Sequence, residues 1–167
     1  MFTDFGEEPT GVLQGQQTLS GTRSLLHLSG NTFTLVGFQL EENYLMPQAV
    51  LPIHGIESSV DFFNGRLPEI RSNAPAKSIL VPQDDLNNII VTATETENRQ
   101  TILYIHNEMG ELQGIKQLGS LNPFTFKDII LTKDGNVLVM GTTFLSSRFE
   151  RIYLNKIPKN ELLSMVQ

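Results

Sequence analysis

The chain has 167 residues, no cysteine, and a net charge of −6 from 12 Lys+Arg against 18 Asp+Glu. That length suffices for one self-supporting core, and 40% apolar with 18% charged residues is the balance of a globular chain rather than a disordered one. The charge has the wrong sign for a phosphate backbone or an anionic membrane surface, and the missing thiols exclude disulfide frameworks, thiolate zinc sites and cysteine nucleophiles.

The amino terminus, MFTDFGEEP, has neither a basic opening nor an apolar stretch, so no secretory signal is read there. Export stays open should the chain be a mature piece of something longer, and the compartment is left undetermined. From residue 11 onward the pattern is strand-like. Residues 11–19 read as a lone outer strand. Short runs rich in Val, Ile, Leu, Thr and Phe then recur at 25–28, 32–38, 79–81, 88–94, 101–106, 127–131, 136–142 and 151–157, separated by Gly, Asn, Asp and Pro. No apolar run approaches the ~18 residues of a membrane-spanning helix. Only 159–167 reads as a short helix, and residues 160–162 fit a strand equally well. The expectation is an all-β chain with little helix.

The runs repeat. SLLHLSGNTFTLVGF from Ser24, KSILVPQDDLNNIIVTAT from Lys77 and KDIILTKDGNVLVMGT from Lys127 each give a short apolar strand, a polar turn, and a second strand ending in a small residue. This alignment makes Gly37, Ala93 and Gly141 equivalent, at separations of 56 and 48 residues. Tyr104-Ile105-His106-Asn107 and Tyr153-Leu154-Asn155-Lys156 align at 49 residues, and Gly11-Val12-Leu13-Gln14-Gly15 matches Gly110-Glu111-Leu112-Gln113-Gly114 at 99. Such spacings bracket the ~40 to 50 residues of a four-stranded propeller blade.

On these residues the chain resembles β-propeller domains whose inner hairpin reads apolar run, Asp-Gly-Asn, apolar run, Gly-Thr, here residues 129–142 with Asp134-Gly135-Asn136 at the turn. The second unit departs from that pattern at Leu86 and Ala93, and the first turns at Ser29-Gly30-Asn31. No Trp-Asp pair or kelch-type glycine doublet assigns a subfamily. The resemblance implies about three four-stranded antiparallel blades, near 24–70, 77–118 and 126–167, within a single propeller-like region, with 11–19 completing a further blade. Three blades do not close a ring comfortably, so the expectation is part of a larger propeller or a ring completed by a second copy. An open sandwich of three stacked sheets has the same periodicity. Asp134-Gly135 suits a tight hairpin turn on turn chemistry alone, and Gly37 and Gly141 are expected where neighbouring blades approach closely, backbone on backbone.

Chemistry-bearing residues are sparse. His27, His54 and His106 are too scattered for a metal site, and none is assigned. Asp84, Asp85 and Asp134 read as turn formers, and Glu41, Glu42, Glu95 and Glu97 as loop acids; a carboxylate pair among such acids would be needed for glycoside hydrolysis. Motifs for nucleotide binding or a serine nucleophile are absent from the sequence. No catalytic residue and no cofactor is assigned. In propellers, the loops before each inner strand and between the second and third strands rim one end of the channel. Here these offer Arg23, Arg71, Lys77, Arg99, Asn122, Phe124 and Arg148, with Asn73, Glu42, Asn43 and Phe144 nearby in sequence. Several of the few arginines fall in these loops, which points to an anionic ligand. The reading is a non-enzymatic scaffold or binding module for a protein or a small polar or anionic ligand. The alternative is a glycoside-acting hydrolase whose site is completed by other blades.

Overall fold

A computed structural model describes residues 12–14, 20–50, 56–58, 65–83, 88–145 and 149–165. The chain is all-β, with one short helix among the described residues, and falls into two compact units, Met1–Pro68 and Glu69–Gln167.

In the first unit, β2 (Ser20–Ser29), β3 (Thr32–Gln39) and β4 (Glu42–Val50) form a three-stranded antiparallel meander. Its central strand carries the core, with Thr34, Leu35, Val36 and Gly37 all buried. β1 (Val12–Gln14) pairs in parallel with β5 (Ile56–Ser58). The expected lone outer strand is therefore partnered within its own unit, where the intervening meander supplies the crossover a parallel pair needs. β5 does not extend the meander; among the described residues the place beside β4 is taken by residues 65–67, where Arg66 bridges Tyr44 antiparallel, Leu45 N donates to the Gly65 carbonyl at 3.0 Å and Leu67 N to the Asn43 carbonyl at 2.9 Å.

The second unit opens with a complete four-stranded meander, β6 (Lys77–Val81), β7 (Ile89–Glu95), β8 (Thr101–His106) and β9 (Leu112–Leu118). Every residue of β7 and β8 is buried, which explains why IIVTATE and TILYIH read as near-continuous β-branched and aromatic runs instead of alternating ones. A second sheet follows: β10 (Phe124–Leu131), β11 (Val137–Leu145) and β12 (Phe149–Ile157). Its first hairpin closes through Asp134-Gly135, with Gly135 at φ 77°, the left-handed conformation a glycine takes without steric penalty.

Where the sequence leaves the carboxy-terminal segment open between strand and helix, a helix forms, α1 (Lys159–Leu163). Pro158 precedes it with φ already near the helical value, Lys159 N donates to Asn136 Oδ1 at 3.0 Å, and Leu162 is fully buried. Glu161 reaches Lys116 on β9 at 2.7 Å. Among the described residues no fourth strand follows β12 in its sheet; the chain enters α1, which docks against β9.

The two sheets of this unit share one core. Val81, Ile89, Val91, Ala93, Leu103 and Ile105 from the first sheet meet Phe126, Ile129, Val137, Val139 and Ile157 from the second. Strand register decides which residues are equivalent. The tyrosines occupy matching places on the third strand of each sheet, giving the rows Thr22-Gly37-Tyr44, Ser78-Thr92-Tyr104 and Phe126-Gly141-Tyr153. Gly37 and Gly141 are equivalent as expected, but their counterpart is Thr92, one residue before Ala93. That single step matters, since adjacent strand residues face opposite ways. The Tyr153 face of the second sheet packs on the first, while the Tyr104 face of the first points the other way, toward Glu69. Successive sheets therefore use opposite faces, in head-to-tail order.

Gly141 is required by a close approach within its own sheet, not by the expected approach of a neighbouring blade. A Cβ there would lie 1.8 Å from the Thr125 carbonyl oxygen and 2.6 Å from the ring of Tyr153, its cross-strand partner. The ring lies over the glycine and so fills the gap that a missing side chain leaves in a strand.

Candidate functional site

The turn between β7 and β8, residues 96–100, gathers most of the loop residues picked out by sequence. Ile70 bridges Thr96, and Arg71 N donates to the Glu95 carbonyl at 3.0 Å, which fixes the segment before β6 against the end of β7. On the other side Phe124 N donates to the Arg99 carbonyl at 2.8 Å, and Gln100 Nε2 donates to the Asn122 carbonyl at 2.9 Å. Arg71, Arg99, Asn122 and Phe124 thus converge on one end of the first sheet of the second unit.

Beneath them lies a buried polar cluster. The side chain of Glu95 is 3% exposed, and its Oε1 is 2.9 Å from Arg71 Nε, whose side chain is 36% exposed. Glu95 Oε2 accepts from Phe126 N at 3.3 Å. An interior carboxylate needs a cation and hydrogen-bond donors, and both are present. Thr101 Oγ1 donates to the Phe124 carbonyl at 2.7 Å and lies 2.7 Å from Tyr153 Oη, while the Tyr153 ring packs on Phe124 at 4.8 Å between centroids. Burial raises the Tyr153 hydroxyl above its ordinary pKa. The cluster locks the strand ends, and the arginines stand at its surface.

Two loops at this end carry side chains in left-handed backbone conformations, Asn73 at φ 59° and Arg99 at φ 56°. Asparagine accepts that region with little penalty, whereas arginine seldom occupies it. Arg99 is exposed.

The remaining sequence-selected residues lie elsewhere. Arg23 sits in the first unit, at a β-bulge between Thr22 and Ser24, with its guanidinium carbon 4.4 Å from the centroid of the Phe38 ring. Lys77 opens β6 and binds Asp128 Oδ1 at 2.8 Å; that hydrogen bond holds the Asp128 carboxyl below its ordinary pKa. Arg148 falls outside the described residues, as do Asp84, Asp85 and His54. Phe144 lies on β11, and Glu42 pairs with Arg66 at 2.5 Å in the first unit.

Of the described histidines, one lies on β2 and one on β8. His27 is exposed, its Nε2 2.9 Å from the Gly30 carbonyl oxygen across its own turn. His106 is buried and its pKa falls to about 4 because burial penalises the charged ring; its Nδ1 has no partner among the described residues. Asp134 does the turn work expected of it, with Oδ1 accepting from Thr132 at 2.5 Å and Oδ2 paired to Lys156, whose hydrogen bond holds the carboxyl far below its ordinary pKa. No group of three or more His, Asp or Glu side chains suits a metal ion among the described residues.

No family model, curated protein or solved structure matches the chain. The site must be read from its own geometry. Sequence reasoning missed Thr101 and Tyr153, whose roles depend on contact across two sheets. It placed Glu95 in a solvated loop, although Glu95 closes a fully buried strand. The uninterrupted run before it was the available signal, because an acid ending such a run is held inside unless the strand stops short.

Proposed function

We propose that the chain is a propeller-type binding module, that residues 69–167 contribute two successive blades to it, and that a carboxylate-bearing ligand is bound where the 96–100 turn meets the 69–76 and 119–123 segments. The head-to-tail use of the sheet faces supports a propeller-type order over an open sandwich, because a ring is built by repeating one operation from sheet to sheet. The observation that carries the ligand reading is the placing of two arginines at this end. Glu95 pairs with Arg71 Nε from below at 2.9 Å, leaving about a third of the Arg71 side chain exposed, and Arg99 is displayed from a turn that holds it in a left-handed conformation. A planar, oriented guanidinium fork suits a carboxylate better than a free one, since less side-chain entropy is lost on binding. Unfavourable backbone geometry of this kind concentrates at ligand-binding positions.

The test is an NMR titration with succinate and with a short acidic peptide. Amide shifts are expected at Arg71, Gln100, Gly119 and Phe124, and Arg99→Ala should weaken binding roughly tenfold, the loss of one charge-assisted hydrogen bond. Shifts confined to other surfaces, or none with either probe, would refute the assignment.

A further inference from the structure

We infer that the chain forms a symmetric dimer by pairing β12 with β12 of a second copy, edge to edge and antiparallel, so that two three-stranded sheets become one of six strands. This surface is separate from the arginine end and does not depend on the binding reading. Among the described residues, no strand pairs with the outer edge of β12. Where a fourth strand would follow in chain order, the described residues form α1. An open, nine-residue edge presents a row of unpaired N–H and C=O groups, which is a template for another strand. It is also apolar on its outward face: Ile152 is 75% exposed and Leu154 64%.

The occupant follows from the strand's own sequence, Phe149-Glu150-Arg151-Ile152-Tyr153-Leu154-Asn155-Lys156-Ile157. Only registers centred on a residue keep the Tyr153 faces of both copies on the same side of the extended sheet. Centring on Tyr153 sets Glu150 opposite Lys156 of the second copy, Ile152 opposite Leu154, and Phe149 opposite Ile157. Each pair occurs twice by symmetry. The outward face then reads acid, apolar, apolar, base against base, apolar, apolar, acid, with opposite charges and apolar side chains directly facing, the combinations that stabilise cross-strand pairs. Moving the centre to Ile152 sets Glu150 against Leu154, and moving it to Leu154 sets Ile152 against Lys156. The strand is self-complementary in one register. Glu150 has no ion-pair partner among the described residues, and the Lys156 side chain is 52% exposed beside Asp134, so both charges are placed to take part.

Sedimentation equilibrium of the full chain across the micromolar range should show a monomer–dimer equilibrium. Glu150→Lys sets like charges opposite each other at both ends and is expected to raise the dimer Kd at least tenfold. The double exchange Glu150→Lys with Lys156→Glu should restore it. Because the chain has no cysteine, the register can be read by oxidation. A mixture of Ile152→Cys and Leu154→Cys chains should cross-link to heterodimers far more readily than either variant cross-links to itself. That measurement leaves the charges intact, and so stands even if a charge variant fails to fold. A chain that stays monomeric throughout, a dimer indifferent to Glu150→Lys, or cross-linking with no preference for the mixed pair would overturn the proposal.

Discussion

At the scale of single residues, Arg99 is where stability and the proposed ligand binding pull apart. Its φ of 56° brings the side chain's Cβ against its own backbone, a conformation that costs a non-glycine residue about 1 kcal/mol. The turn that imposes it is closed by Arg99 N donating to the Thr96 carbonyl at 2.9 Å, and its geometry serves the backbone whatever the side chain. Arg99→Gly is therefore expected to stabilise the protein by about 0.5–1 kcal/mol, the relief of strain outweighing the extra freedom of the unfolded chain. The same substitution should weaken carboxylate binding. Urea unfolding alongside the succinate titration measures both. A variant that is less stable than the parent would show that the arginine side chain itself holds the turn together.

At the scale of elements, the strands were legible because burial writes itself into sequence. β6, β7 and β8 match the expected runs closely, since each is rich in β-branched or aromatic residues and the gaps between them carry Asn, Asp or Pro; β9, LQGIKQL, has no such run and was legible only through the likeness of residues 110–114 to 11–15. Two things were not legible. The equivalence of Ala93 and Gly141 rested on side-chain size, while the structure equates Thr92 with Gly141 through tyrosine register; a one-residue error is invisible when both neighbours are small and buried. The candidate site was half legible: arginines in turns can be counted, but the Glu95–Arg71 pair and the Thr101–Tyr153 contact arise from packing between segments far apart in sequence. The carboxy-terminal segment was ambiguous for a different reason. KNELL is too short to show a helical period, and α1 exists because Leu162 is buried in the shared core. Docking of α1 rests on that leucine more than on the Lys116–Glu161 ion pair, whose groups are 23% and 42% exposed and so well screened. Leu162→Ala is expected to cost about 2–4 kcal/mol, and Glu161→Gln under about 1 kcal/mol. Thermal unfolding of the two variants side by side measures the ratio; equal losses would mean that charge, not burial, seats the helix.

At the scale of the whole molecule, two acid-driven effects coincide. The sequence isoelectric point is near 5.0, so the net charge of −6 at neutral pH vanishes as pH falls through that value and with it the repulsion that keeps molecules apart. Over the same range His106 works against the fold. Its pKa is about 4 when buried in the native state and 6.5 ordinarily, so between those values the unfolded chain binds a proton that the folded one refuses. Stability from this residue is fully present above about pH 6.5, is lost progressively as pH falls, and levels off below about pH 4, a total on the order of 3 kcal/mol. Aggregation should therefore peak near pH 5, where the unfolded population is rising and charge is minimal. His106→Leu removes the proton site and leaves no polar nitrogen unpartnered. Its unfolding free energy in urea should lie flatter between pH 6.5 and 4 than that of the parent, and its light-scattering maximum near pH 5 should shrink. If both proteins lose stability in parallel on acidification, the acid sensitivity belongs to the carboxylates held below their ordinary pKa by lysines, Asp134 by Lys156 and Asp128 by Lys77, and the buried imidazole is a bystander.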